Sequence, residues 1–382
     1  AGEWDEIDFQ AFRLKQGIYG QRQPESQMVR VKVPFGGLTA DQLDALGHVA
    51  AKYAPLNKGH VTTRENFQYH HVKLDDTPSF MRVIGAVGLT TREACGNTVR
   101  NVTACPLAGV CRDETFDVTP YAKACMRFLL GHPDVQDFGR KFKIAYSGCA
   151  HEGCGRAMMH DLGFIAATRA VEGKEERGFR VVVGGGLGPV PHVAKELYDF
   201  MPESRMLPVS QAISRVYARL GEKRNRNKAR IKFLVAQLGI EEFRRLVDAE
   251  LETMEPDPRW QEWLDEGERT AQEWKPAPAT SDGARPAPGF EEWAGTNVYE
   301  QRQPGFVAAS INLPLGDLTS RQARRIADIM RKPLHQMWIS SRRLRVRNTN
   351  RLLRGRVVVL GGKTGYIDAS GYCLATVVRV AG

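Results

Sequence analysis

No uninterrupted apolar run in this chain reaches the roughly 18 residues that a membrane-spanning helix needs. Ala1 to Gln10 is acidic and lacks an apolar signal core, so neither a membrane nor a secretory route is expected. Cysteine is scarce, with seven in 382 residues. An odd count at that density excludes a disulfide framework. It points to a cytoplasmic protein in which clustered cysteines serve metal binding or catalysis. Acidic residues nearly vanish towards the end of the chain. Residues 331–382 hold 11 of the 54 Lys+Arg but one of the 44 Asp+Glu, which leaves 43 of each in residues 1–330. The net charge of +10 thus belongs to the terminal segment and argues against a general nucleic-acid-binding surface.

What is present is ordinary globular material. With 42% hydrophobic residues the chain can bury two or three domain cores, and disorder, collagen and coiled coil are excluded. Residues 28–34 alternate apolar and polar as a strand does. Thr39 is positioned to cap a helix through Gln42, Leu43, Leu46, Val49 and Ala50. A strand is expected from about His60 to Val72 and a helix over 81–87. This order predicts an α+β sandwich of the ferredoxin-like type. Strands are also expected at 139–148 and 179–183, and three helical pieces between Ser210 and Met254, broken near Gly221 and Gly239. Residues 275–289 read as a Pro/Ala linker.

The sequence then repeats. Gln21-Arg22-Gln23-Pro24 recurs as Gln301-Arg302-Gln303-Pro304. At the same offset Pro34, Gly36, Leu38, Thr39 and Gln42 recur as Pro314, Gly316, Leu318, Thr319 and Gln322. Residues 301–330 should therefore pack beside 21–50 about a pseudo-dyad. Further on, Cys95, Thr98, Val99 and Val102 align with Cys373, Thr376, Val377 and Val380. By that register the chain is an incomplete duplication, ending one residue before its next expected cysteine.

Cys105-x5-Cys111 and Cys149-x4-Cys154 are two pairs set among glycines and small residues. Four thiolates from two loops suit a tetrahedral zinc or an iron–sulfur cluster, and the wide gaps favour the latter. Unrelated packing thiols are the plain alternative, and Cys125 reads as core. Arg64, Arg100 and the pair Lys141 and Lys143 lie near these cysteines in sequence. The two lysines flank Phe142 and share one strand face. Such cations can clamp a small oxyanion, although solvated surface charge is the usual fate of Lys and Arg. Gly184-Gly185-Gly186-Leu187-Gly188-Pro189 follows a strand and could cradle an anion, but is neither a dinucleotide fingerprint nor a P-loop. The cations from Lys223 to Lys232 read equally as a carboxylate-binding or a solvated helix face.

Taken together, Thr62 to Gln68, Arg100-Asn101-Val102, Lys141-Phe142-Lys143, Val183 to Gly188 and Asn225 to Leu238 resemble the siroheme-dependent nitrite and sulfite reductases. The resemblance covers residues 15–255 and 296–330 and fades from 331. It implies two paired ferredoxin-like halves and a larger α/β half-domain for siroheme. The expected layout is half 1 at 1–90, the siroheme and iron–sulfur domain at 91–255, a linker at 256–295 and half 2 at 296–382. It further implies a 4Fe–4S cluster coupled to siroheme, six-electron reduction of sulfite or nitrite, and a ferredoxin or flavoprotein donor. Arg64, Arg100, Lys141 and Lys143 would bind substrate. Thr62, Gln68, Asn101, Gly184, Gly185, Gly186 and Gly188 would contact cofactor. Cys105, Cys111, Cys149 and Cys154 would bind metal.

Two departures from the family pattern stand out. The family's cluster cysteines come as C-x5-C and C-x3-C in its second half, whereas here C-x5-C and C-x4-C occur in the first. These four either hold a cluster or are remnants of the duplication. The second α/β half is missing, so a second chain would supply it or the sequence is truncated or misread at its end. A non-catalytic partner half is the alternative to a reductase. A zinc-stabilised nucleic-acid binder would explain the charge and the cysteines but not the duplication.

Overall fold

The computed structural model describes residues 4–150, 154–269, 288–304 and 306–331, and beyond these the strands Gln336–Ser340, Leu344–Arg345, Val358–Val359 and Cys373–Ala381. Most of the expected linker at 275–289 and most of the basic segment lie outside the described residues. The chain divides into two compact units. One comprises Ala1–Ile18, Arg92–Gly109 and Asp113–Gln272; the other comprises Tyr19–Thr91, Val110–Arg112 and Glu273–Gly382.

The second unit is the duplicated one. In its first copy Ser26–Lys32 pairs with Asn66–Lys73, which pairs with Lys58–Val61. In its second copy Phe306–Pro314 pairs with Cys373–Ala381, which pairs with Gln336–Ser340. Each copy lends a short strand to the other's sheet. Gly37–Leu38 pairs with Trp338 and Met337, and Asp317–Thr319 pairs with Lys58, Gly59 and His60. That reciprocity is the expected pseudo-dyad, and the α+β ferredoxin-like reading is correct.

Local chemistry repeats with the topology. Thr39 Oγ1 accepts from Gln42 N at 3.2 Å while Gln42 Oε1 accepts from Thr39 N at 2.9 Å. Thr319 and Gln322 make the same capping box at 3.2 and 3.0 Å. The helices so capped, Ala40–Tyr53 and Ser320–Met330, pack on each other. A Cβ on Gly47 would lie 2.8 Å from Arg324 Cγ and 3.1 Å from Ser320 O, so glycine permits the close approach. Arg324 pairs with Asp44, and Arg331 with Asp41 and Asp44, each at 3.1 Å.

Two sequence expectations are corrected here. The strand expected over 60–72 is two strands joined by a tight turn, because Thr62 Oγ1 accepts from Arg64 N and Asn66 N, both at 3.2 Å, and Glu65 takes φ 58°. The alignment of Cys95 with Cys373 also fails. Val99–Thr103 lies in the other unit, whereas Cys373–Ala381 fills the place that Asn66–Lys73 takes in the first copy. The terminal strand therefore completes the second half-domain and does not begin a second cysteine domain.

The first unit has one sheet, in the order Lys195–Pro202, Lys174–Val183, Leu162–Val171, Phe142–Ser147, Val99–Thr103. The last three strands run parallel, and a hairpin closes the other side. Phe164 stacks on Tyr146 at 4.8 Å and meets Phe179 edge-on at 5.6 Å, and Tyr121 also meets Phe179 edge-on at 5.2 Å. Thr119–Leu129 buries Cys125 completely, which pushes that thiol up to about 12, so it packs as core. Part of the expected 256–295 linker is the helix Arg259–Arg269, which packs on Thr119–Leu129. There a Cβ on Gly267 would lie 2.7 Å from Pro120 O. No helix among the described residues is long and apolar enough to cross a membrane.

Candidate functional site

Two adjacent parallel strands build the site. Val99–Thr103 runs into Cys105, and Phe142–Ser147 runs into Cys149. Their ends bring three sulfurs together. Cys154 Sγ stands 3.1 Å from Cys105 Sγ and 3.5 Å from Cys149 Sγ, well beyond the roughly 2.05 Å of a disulfide. Ser147 fixes the loop, with its Oγ accepting from Gly155 N at 3.3 Å. Gly155 is required, since a Cβ there would lie 1.8 Å from Tyr146 O. Cys111 is placed in the duplicated unit, where Tyr299 Oη lies 3.7 Å from its sulfur.

Cys105, Cys149 and Cys154 present soft sulfur donors side by side. Three thiols from two glycine-bearing loops are the donor set that an iron–sulfur cluster takes.

Arg100 and Lys143 sit on the same strands, and Lys141 immediately precedes the second. Lys141 and Lys143 are half-buried on either side of buried Phe142. Arg100 is half-buried on the neighbouring strand, with Nε donating to Gly96 O at 2.8 Å and Nη1 to Ala94 O at 3.0 Å. Beside it Asn101 is fully buried. Ser147 lies four positions beyond Lys143, about 13 Å at the strand rise. Cations and cysteines therefore occupy opposite ends of one strand pair. Arg64 sits in the Thr62–Asn66 turn of the duplicated unit, and Gln68 is buried on the strand that follows.

The glycine-rich segment is mostly filled by protein. A Cβ on Gly185 would lie 2.5 Å from His160 O and Met158 O, one on Gly186 2.8 Å from the Arg230 guanidinium, and one on Gly184 3.1 Å from Val235. Gly188, at φ +126°, alone of the four faces open space. The turn is thus closely packed at Gly184, Gly185 and Gly186. The cations from Lys223 to Lys232 do not form a helix face either. The helix Ile231–Leu238 begins after most of them. Lys232 is buried and donates to Val190 O, and burial, then nearby Arg230, lower its pKa.

Sequence reasoning missed Asp161 and Ser147. Asp161 is fully buried and pairs with Arg230 at 2.7 Å. A lone acid opening the apolar run Leu162–Ala166 was the available signal.

Comparisons with known proteins agree with this construction. Residues 95–254 match the model of the nitrite and sulphite reductase 4Fe-4S domain, and residues 19–87 match that of the nitrite/sulfite reductase ferredoxin-like half domain. The chain is 35% identical over 226 residues to sulfite reductase [ferredoxin] 2 of Mycolicibacterium paratuberculosis, covering 58% of this chain and 39% of that protein. It is 31% identical over 330 residues to the assimilatory ferredoxin-dependent nitrite reductase of Haloferax mediterranei, covering 83% of this chain and 54% of that protein. The solved structure of Mycobacterium tuberculosis NirA protein matches with a TM-score of 0.71 at 26% identity, over 88% of this chain and 59% of that one. The chain thus spans about two fifths to one half the length of these curated relatives. A siroheme and a 4Fe–4S cluster are the cofactors this kinship implies. With both modules matched in order, the chain belongs to the siroheme- and 4Fe–4S-dependent nitrite and sulfite reductase family.

Proposed function

We propose that the chain serves the six-electron reduction of sulfite to sulfide or nitrite to ammonia, with electrons from a ferredoxin or flavoprotein. The observation that carries this reading is the convergence of Cys105, Cys149 and Cys154 at the end of the two strands that also bear Arg100 and Lys143, with Lys141 just before the second. Cys105, Cys149 and Cys154 would hold the cluster. When bound, siroheme and cluster would relay the donor's electrons and supply the iron at which the anion is reduced.

The protein's own task is to hold the anion and feed it protons. Arg100 has two guanidinium nitrogens committed to the carbonyls of Ala94 and Gly96, so its orientation is set before substrate arrives. The Lys141 and Lys143 ammoniums share one strand face and are suited to neutralise a dianion. Their Nζ protons can pass to oxygen leaving as water. Arg64, with Thr62 bonding its backbone, is the fourth candidate cation. Thr62, Gln68, Asn101 and Gly188 are candidate cofactor contacts.

The test supplies the cofactor-loaded protein with a reduced low-potential dye and either anion. Six electrons consumed per anion, with sulfide or ammonia formed, is the expected result. A loaded chain that turns over neither anion until a second chain is added would instead be a partner half.

A further inference from the structure

We infer that Asp161 is a positioning residue of the oxyanion clamp, tying the backbone of Lys143, the Arg230 guanidinium and the Gly184–Gly188 turn into one unit. The inference rests on the reading of Lys143 as a clamp residue and adds what holds it in place.

Asp161 has no exposed surface. A buried carboxylate is costly unless its oxygens are bonded. Here both are. Oδ2 accepts from Lys143 N at 3.0 Å. Oδ1 accepts from Arg230 Nη2 at 2.7 Å and Nε at 3.1 Å. The backbone carbonyl of Asp161 accepts from Gly184 N at 3.0 Å. One residue thus reaches the clamp strand, the cation and the glycine turn.

The strand register explains why Lys143 needs this partner. The parallel ladder between Phe142–Ser147 and Leu162–Val171 begins at Ile144 opposite Leu162. Lys143 precedes it by one residue, and its amide is taken by the carboxylate of the residue preceding Leu162. A charge-assisted bond is about twice as strong as a neutral one, so it can hold a strand end that would otherwise fray.

Arg230 keeps the carboxylate from rotating and grips the turn as well. Its Nη1 lies 3.4 Å from Leu187 O and its Nη2 3.4 Å from Gly185 O. Any side chain at Gly186 would collide with this guanidinium. A second brace lies on the other side of the lysine pair. Tyr217 Oη is 2.6 Å from Ala229 O and 3.3 Å from Arg140 O, linking the residue before Arg230 to the residue before Lys141.

Asp161→Asn keeps the shape and removes the charge. Hydrogen exchange of peptides spanning 141–147, read with or without bound cofactor, should show the Lys143 amide exchanging about tenfold faster. Nitrite affinity, read by optical titration of loaded protein, should fall about tenfold while iron and porphyrin per chain stay at the wild-type value. Arg230→Lys keeps the charge and loses the fork, and should shift both readouts the same way to a smaller extent. If Asp161→Asn does not fold, Arg230→Lys decides alone. Unchanged exchange at Lys143 would overturn the tie. Lost cofactor with unaltered nitrite affinity in the remaining loaded fraction would reduce Asp161 to a folding role and overturn the inference. Failure of wild-type loaded protein to bind either nitrite or sulfite would instead overturn the clamp reading itself.

Discussion

The two units of this chain use their residues differently. The duplicated unit spends its recurring residues on geometry. Gln21 N donates to Ser26 O at 2.8 Å as Gln301 N donates to Phe306 O at 3.0 Å, and the Thr–Gln capping box appears twice. The other unit carries one parallel strand pair with thiols at one end and cations at the other. Residues that recur between copies therefore build the frame, and most of the chemistry sits in residues that occur once. Arg64 is the exception, a candidate substrate cation in a turn of the frame.

This contrast can be broken by substitution. The largest effect is expected at Cys149→Ser, which should lower iron and labile sulfide per chain to below about one tenth while circular dichroism stays native, because a serine oxygen is a poor ligand for this soft site. Lys143→Ala and Arg100→Ala come next. Each should lower turnover of sulfite or nitrite about 10²-fold or more with cofactor content kept, since under the proposed clamp each would remove a cation that offsets developing negative charge. Unchanged turnover would refute the clamp assignment.

Gly47→Val belongs to the frame. It should destabilise the duplicated unit by about 1–3 kcal/mol through the clash with Arg324 and Ser320, with turnover per loaded site unaltered. Smaller again are Thr39→Ala and Thr319→Ala, each expected to cost about 1 kcal/mol in denaturant unfolding. Equal costs would support the equivalence of the two copies, and a cost at one alone would break it.

The smallest effect concerns acid. Asp134 accepts from Gln211 Nε2 and Arg215 Nε, both at 2.7 Å, pinning its loop to the helix Met206–Leu220. Burial raises its pKa, but the hydrogen bonds from Arg215 and Gln211 outweigh it and hold the carboxyl below its ordinary value. A folded value below the unfolded one means stability that is complete above about pH 4 and lost as pH falls through the folded value. Asp134→Asn should therefore show a shallower fall in melting temperature between pH 5 and pH 3 than the wild type.

Much of the frame was legible because its signals are local. Thr39 with Gln42, the Gly36 turn and the alternation of 28–34 each encode a cap, a turn or a strand within a few residues. The convergence of Cys105 with Cys149 and Cys154 was suggested by spacing, but their closeness depends on two parallel strands whose pairing no local pattern records. The role of Asp161 was invisible, since its partners Lys143 and Arg230 lie 18 and 69 residues away. The Cys95–Cys373 match misled because alternating apolar residues are common to any strand, and sheet order alone distinguishes the two.

The most direct test of the account is the metal, sulfide and absorption inventory of the purified protein. Iron and acid-labile sulfide in the amounts of one 4Fe–4S cluster, together with a reduced-porphyrin spectrum that a cysteine substitution perturbs, is the predicted result. A colourless protein holding zinc on the same cysteines would contradict it.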